Sequence, residues 1–172
     1  MKFFKSFDNY NTPLIIVALI ALFATNMFWL FDKKTLSENL DIQNASEDIT
    51  FYYSESVTED RGDEGIYYID NIYTISSPID DEKIQPLLNV LNQIESRKRS
   101  SGNGSILVHT TGMSKLYIEF FINDDFYSYI LTDRDNIMRC HSPVTGEIIS
   151  ITLGDGDFET LAESIKLHGQ LQ

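Results

Sequence analysis

Residue types that bind soft metals meet near residue 140, in the run Met138, Arg139, Cys140, His141. Thiolate, thioether and imidazole groups are ligands that copper favours. In a β-strand, however, alternate side chains face opposite sides of the sheet, so Met138 and Cys140 share one face and His141 turns to the other. Cys140 is the only cysteine in the chain, and no second histidine lies near it in sequence. The pattern therefore predicts a small buried thiol and no metal site.

The ingredients of a hydrolytic triad are also present: His109, Ser114 and either Asp124 or Asp125. A serine nucleophile on a strand-to-helix elbow requires the pattern Gly-x-Ser-x-Gly, and the neighbours of Ser114 do not form it. A triad is otherwise defined by geometry and not by sequence spacing. We therefore predict no catalytic residue and expect that the protein is not an enzyme.

An acidic run at residues 155–159 resembles the start of a calcium-binding loop. The EF-hand loop needs Gly at its sixth position and Glu at its twelfth. Counted from Asp155, these positions hold Thr160 and Lys166. A helix capped by Asp157, with acidic side chains in its first turn, accounts for the same residues. The sequence thus predicts no cofactor and no bound metal.

The N-terminal region contains an 18-residue run without a charge, from Leu14 to Phe31. At about 1.5 Å per residue, a helix of this length spans roughly 27 Å, close to the apolar thickness of a bilayer. The run is too long for a signal peptide and lacks a small-residue cleavage site. We expect a single-pass signal anchor in a bacterial inner (cell) membrane, with residues 1–13 as a cytoplasmic tail. The flanking lysines nearly balance, but a short tail before a long acidic domain favours an extracytoplasmic domain.

The part of the chain behind this run is strongly acidic. Residues 32–172 carry 25 acidic and 11 basic side chains, a net charge of −14, whereas the whole chain carries −13. A field of this sign repels phosphate backbones, so we expect no nucleic-acid partner. Since Cys140 is the only cysteine, no intrachain disulfide can form, and the fold must be stabilised by its core.

The pattern behind the anchor predicts a polar linker at residues 32–48 and an α+β domain at 49–172. Loops of three to five residues join the later strands, and connections this short link antiparallel neighbours. We predict an antiparallel β-meander in the order ββαβββββα, either a curled sheet or a partly closed barrel. The predicted strands are residues 51–57, 66–75, 106–110, 116–122, 126–131, 136–140 and 147–153. The first helix begins near Gln85 and ends in the basic residues 97–99, and the second is capped by Asp157. Each has an apolar stripe that should face the core: Leu87, Leu88, Leu91 and Ile94 in the first, and Phe158, Leu161, Ala162 and Ile165 in the second.

Aromatic side chains are unusually frequent on the predicted strands. The strand at 66–75 is apolar on both faces except at Asp70 and Asn71. One core cannot cover both faces, so several rings must face outward. Exposed rows of rings are typical of a protein interface or the wall of an apolar pocket, and core filling with ordinary surface scatter is the alternative. The candidate interface or pocket aromatics are Tyr53, Tyr67, Tyr73, Tyr117, Phe121, Tyr127 and Tyr129.

These features together favour a non-enzymatic function. We expect a membrane-anchored accessory or regulatory protein whose extracytoplasmic domain binds a partner, another membrane or envelope protein. One alternative is a binding domain for an apolar or amphiphilic small molecule in an aromatic-lined cavity. Another is an envelope immunity or inhibitor protein whose acidic surface binds a basic toxin.

Overall fold

The chain divides into two units, Met1–Lys33 and Lys34–Gln172. The computed structural model describes residues 15–23, 33–101, 106 and 112–172. In the first unit, residues 15–23 form a helix, α1, with exposed apolar side chains. The remainder of the predicted anchor and the predicted tail at 1–13 lie outside the described residues. Among the helices that are described, none is both long and apolar enough to cross a membrane.

The second unit is built on a nine-stranded sheet in which every described pairing is antiparallel. The strand order is β1-β4-β8-β7-β6-β5-β2-β3-β9. The strands are β1 (Lys34–Thr35), β2 (Ile49–Asp60), β3 (Ile66–Ser77), β4 (Glu95–Ser101), β5 (Lys115–Ile122), β6 (Asp125–Thr132), β7 (Ile137–His141), β8 (Ile148–Thr152) and β9 (Gln170–Leu171).

The predicted α+β class and antiparallel sheet are confirmed, but the sheet is open and does not close into a barrel. It ends in β1 on one side and β9 on the other, and each of these strands has only two residues. Very short edge strands offer little backbone for further pairing, which is a common way to end an open sheet.

Helices α2 (Leu36–Leu40), α3 (Gln85–Gln93) and α4 (Asp157–His168) pack against one face of the sheet. We call this the helix face and the opposite one the open face. The apolar stripe predicted for α3 is buried, and so is the stripe predicted for α4. The N-cap of α4 is Gly156, in the left-handed conformation, and not the predicted Asp157, which is the first residue of the helix. These two stripes pack against alternate residues of the central strands, on the helix face of the sheet. Among those strand residues are Phe51, Ile118 and Tyr129, which lie side by side in register. This single layer of helices on a single sheet forms the core.

The segment predicted as a polar linker is structured and contributes to the core. The N-terminus of α2 is fixed by a capping box, in which the side chains of Thr35 and Glu38 each accept a hydrogen bond from the other residue's backbone N–H. Leu36, Leu40 and Ile42 are essentially fully buried. A five-residue helix is too short to give a periodic apolar signal, which is why the sequence pattern resembles a linker.

The strand after α3 also differs from the prediction. The sequence predicts that the basic residues 97–99 end this helix, but α3 ends at Gln93 and these residues belong to β4. Buried Ser96 accepts from the Asn39 amide at 2.9 Å, and β4 pairs with β8 over five residues. The predicted strand at 106–110 lies outside the described residues except for Ile106, which is not in a strand.

Candidate protein-interaction arm

The hairpin formed by β2 and β3 extends well beyond its neighbours. β5 pairs with β2 no further than Ser54, and β9 pairs with β3 only at Tyr73 and Thr74. Beyond the pair Ser54–Ile72, β2 and β3 continue for six further residue pairs, and we call residues 55–72 the hairpin arm. At about 3.4 Å per pair, the arm is roughly 20 Å long. In the described part of the chain, no strand pairs with either outer edge of the arm.

The arm exposes large apolar side chains on both of its faces. Six such side chains lie in the arm, and each is between 39% and 66% exposed to solvent. Because side chains alternate along a strand, they divide into two groups. Those on the side continuous with the helix face are Val57, Tyr67 and Ile69, and those on the side continuous with the open face are Ile66, Tyr68 and Ile72. Several exposed apolar side chains grouped in one segment are typical of an interaction site.

The same arm is strongly acidic. Residues 55–72 contain six acidic side chains and one basic side chain, a net charge of −5. The Arg61 guanidinium is paired with Glu59 at 2.8 Å and lies 4.8 Å from the centre of the Tyr67 ring. Gly62 and Gly65 adopt positive φ in the turn at the tip, a conformation that favours glycine. The arm therefore combines apolar surface with a negative field.

The base of the arm is firmly held by the helix face. Tyr53 stacks on Tyr73 and meets Phe158 edge to face, each at 6.1 Å between ring centres. The Lys166 ammonium binds the Glu55 carboxylate at 2.8 Å and lies 5.5 Å from the centre of the Tyr73 ring. Hydrogen bonding to Glu55 raises the pKa of Lys166, and burial raises the pKa of Tyr53. The arm thus projects from a junction that is packed against α4.

On the open-face side, the ring of Tyr68, midway along the arm, lies close to the backbone of Gly112. A Cβ atom at Gly112 would lie 2.6 Å from Cε1 of Tyr68, and φ at Gly112 is +67°. Both observations require glycine at this position. Nearby, Ser114 Oγ accepts from the Ser56 N–H at 3.2 Å. The start of the arm is therefore fixed on both faces.

The candidate aromatics are distributed over three places. Tyr53 and Tyr129 are buried on the helix face, with Tyr73 and Tyr127 partly buried beside them. Burial raises the pKa of Tyr129. Tyr67 lies in the arm, whereas Tyr117 and Phe121 lie on the open face, where Phe121 contacts Phe126 at 5.0 Å between ring centres.

Five exposed apolar residues of the arm are not among the candidates: Val57, Ile66, Tyr68, Ile69 and Ile72. The signal that could have identified them is the strand that is apolar on both faces. Such a strand needs cover on both sides, and apart from the Gly112 backbone beside Tyr68 the described residues leave these side chains of the arm exposed.

Near residue 140, the predicted alternation holds. Met138 and Cys140 are buried on the helix face, and His141 is exposed on the other. Burial raises the pKa of Cys140 to about 11, so the thiol is neutral. The described ranges contain no group of three His, Cys, Asp or Glu side chains that could hold a metal ion. His109 lies outside those ranges, and the Ser114 N–H donates to Asp133 at 2.9 Å.

Comparison with known proteins yields no relative from which a function could be transferred. The chain matches no protein-family model, no curated protein and no solved structure. The functional interpretation therefore depends on the geometry and charge of the hairpin arm and of the open face.

Proposed function

We propose that this chain is a membrane-anchored accessory or regulatory protein whose extracytoplasmic domain binds a partner protein through the hairpin arm. The observation that carries the proposal is the exposure of large apolar side chains on both faces of a two-stranded ribbon. An isolated hairpin is marginally stable in water, and exposed apolar strand edges promote unwanted pairing. A partner that covers the arm would satisfy both its apolar surface and its unpaired backbone groups.

The charge of the arm indicates the chemistry of that partner. At a net charge of −5, one arm repels a second arm, so self-association through this surface is disfavoured. A surface with an apolar centre and a rim of Lys and Arg side chains is complementary to it. We therefore propose a different protein as the partner, and not a second copy of this chain.

The proposed recognition mode is addition of a strand to the outer edge of β3. Residues 66–71 have no described strand beside them, while Gln172 closes the edge at Ile72 by donating its N–H to that carbonyl. Strand addition supplies affinity through backbone hydrogen bonds and specificity through alternate side chains. The exposed apolar side chains of the arm provide those alternate contacts.

The anchored part of the proposal is supported by the sequence. Leu14 to Phe31 is uncharged, long enough for a bilayer, and without a cleavage signal. An anchor would confine the arm to the region near the membrane, so membrane and envelope proteins are the partners that it would meet most often.

Photo-crosslinking in cells tests this function. We expect a benzophenone amino acid in place of Tyr68 to give a discrete product with another membrane or envelope protein. The matched control is the same amino acid in place of Leu167, which is 76% exposed on α4 and lies outside the arm. Products only from position 167, or only between copies of this chain, would contradict the proposal. A product with a secreted basic toxin would instead support the inhibitor alternative.

A further inference from the structure

The outer strand of the hairpin arm carries a carboxylate in a row of apolar side chains. On the side continuous with the open face, β3 presents Ile66, Tyr68, Asp70 and Ile72 at alternate positions. The register of β2 with β3 is unbroken, so this alternation holds along the whole arm. The Asp70 side chain is exposed, and so are its three apolar neighbours in the row.

Asp70 differs from the other carboxylates on the strands of the arm because they are already engaged. Glu55 and Glu59 are each paired with a cation at 2.8 Å, and Asp60 accepts from a backbone N–H at 2.9 Å. Among the hydrogen bonds and ion pairs of the described residues, none involves the Asp70 carboxylate. Lys166 binds Glu55 on the helix-face side of the ribbon, opposite to the side of Asp70. The charge of Asp70 is therefore not balanced within the described part of the chain.

The backbone beside Asp70 is open to a further strand. The Ile72 carbonyl accepts from the Gln172 N–H at 2.9 Å, so the backbone groups of Ile72 point to the outer edge of β3. Backbone groups alternate in direction along a strand, and those of Asp70, Tyr68 and Ile66 therefore point to the same edge. No strand in the described ranges pairs with this edge at residues 66–71. A strand added there would form its hydrogen bonds at these three residues.

A strand in that position would place its own side chains beside those of the row. Residues directly opposite each other in paired strands have Cβ atoms about 4.5–5.5 Å apart, close enough for charged side chains to pair. Covering Asp70 without a counter-charge is costly, and a cation opposite it offsets that cost. The residues opposite Ile66 and Tyr68 would meet apolar surface instead.

We propose that Asp70 selects the partner by pairing with an arginine on the added strand, with apolar residues at the alternate positions beside it. Arginine suits this position because its planar group offers paired N–H donors to a carboxylate. It is also more weakly hydrated than lysine, so it lies more readily among apolar neighbours such as Tyr68 and Ile72. The inference rests on the proposed function and makes Asp70 its specificity-determining residue.

Binding of a short strand-forming peptide to the full chain in phosphatidylcholine nanodiscs tests this inference, with empty nanodiscs as the blank. The probe is the dye-labelled peptide VTVTRTVTV, whose alternate valines match the apolar row in either strand direction, and the readout is fluorescence anisotropy. In the comparison peptide, uncharged citrulline replaces the arginine. The arginine peptide is expected to bind at least about threefold more tightly. Asp70→Asn should abolish this difference, whereas Asp63→Asn, which removes the same charge at the tip of the arm, should preserve it.

Equal affinity of the two peptides would overturn the role of Asp70, and so would a difference that persists in Asp70→Asn or disappears in Asp63→Asn. The variant with threonine in place of Ile66, Tyr68 and Ile69 separates this failure from failure of the proposed function. If the unmodified chain binds both peptides equally and this variant binds neither, the arm still binds strands and only the role of Asp70 is wrong. If no peptide binds above the blank, the role of Asp70 is overturned, and the crosslink from position 68 shows whether the arm binds a partner in another way. Because Asp70 is exposed, Asp70→Asn should unfold at the same temperature as the unmodified chain.

Discussion

Replacing Ile66, Tyr68 and Ile69 together with threonine is expected to weaken capture of the partner protein at least tenfold. These side chains are exposed in the free protein and lie where a partner would cover the arm. Truncation of a central interface residue costs about 2 kcal/mol or more, and about 1.4 kcal/mol corresponds to a factor of ten in affinity. Threonine is β-branched and suits a strand, as Ile and Tyr do, so the arm should remain paired.

The measurement is the amount of partner retained by the immobilised full chain over a concentration series, with thermal unfolding recorded for each variant. The control replaces two exposed apolar residues outside the arm, Val144→Thr and Leu167→Gln. This control should bind normally. Equal loss of binding in both variants, or none in either, would contradict a specific role for the arm.

The second large effect concerns the segment before β2. Leu36→Ala is expected to reduce the free energy of unfolding by about 2–5 kcal/mol, since the side chain is fully buried and its removal leaves a cavity. The Leu36 N–H also donates to the Ile94 carbonyl at 2.8 Å, which connects α2 to the end of α3 and limits how far the site can collapse. That loss is a large share of the 5–15 kcal/mol typical of a domain.

Urea titration followed by the circular dichroism of the sheet measures this effect. Gln43→Ala, an exposed position in the same segment, is the matched control and should change stability by less than about 0.5 kcal/mol. If Leu36→Ala unfolds at the same urea concentration as the control, residues 34–44 do not belong to the core and act as the linker that the sequence pattern indicates.

The elements that the sequence predicts well are those with a full period of apolar residues. The strand at 116–122 alternates cleanly, so its apolar face could be assigned, and Leu116, Ile118 and Phe120 are buried as that pattern requires. The stripes of α3 and α4 are equally readable. By contrast, β4 is polar on most of its length and continues directly from α3, so the basic residues resemble a helix end.

Which aromatic rings face outward could not be predicted from the strands alone. That depends on where the helices lie and on how far each strand is paired. Tyr53 and Tyr129 are covered because α2, α3 and α4 share their face of the sheet. Ile66 and Tyr68 are exposed because β5 and β9 stop short of them. Pairing length is a property of the whole sheet, and a single strand carries no signal for it.

Hydrogen exchange of the full chain, free and in complex with its captured partner, tests the role of the arm most directly. In the free protein, the outward-facing amides of residues 66–71 have no described strand partner and should exchange rapidly. In the complex they should become protected, because strand addition would supply their hydrogen bonds. Unchanged exchange in the arm, with protection at another surface instead, would contradict the account.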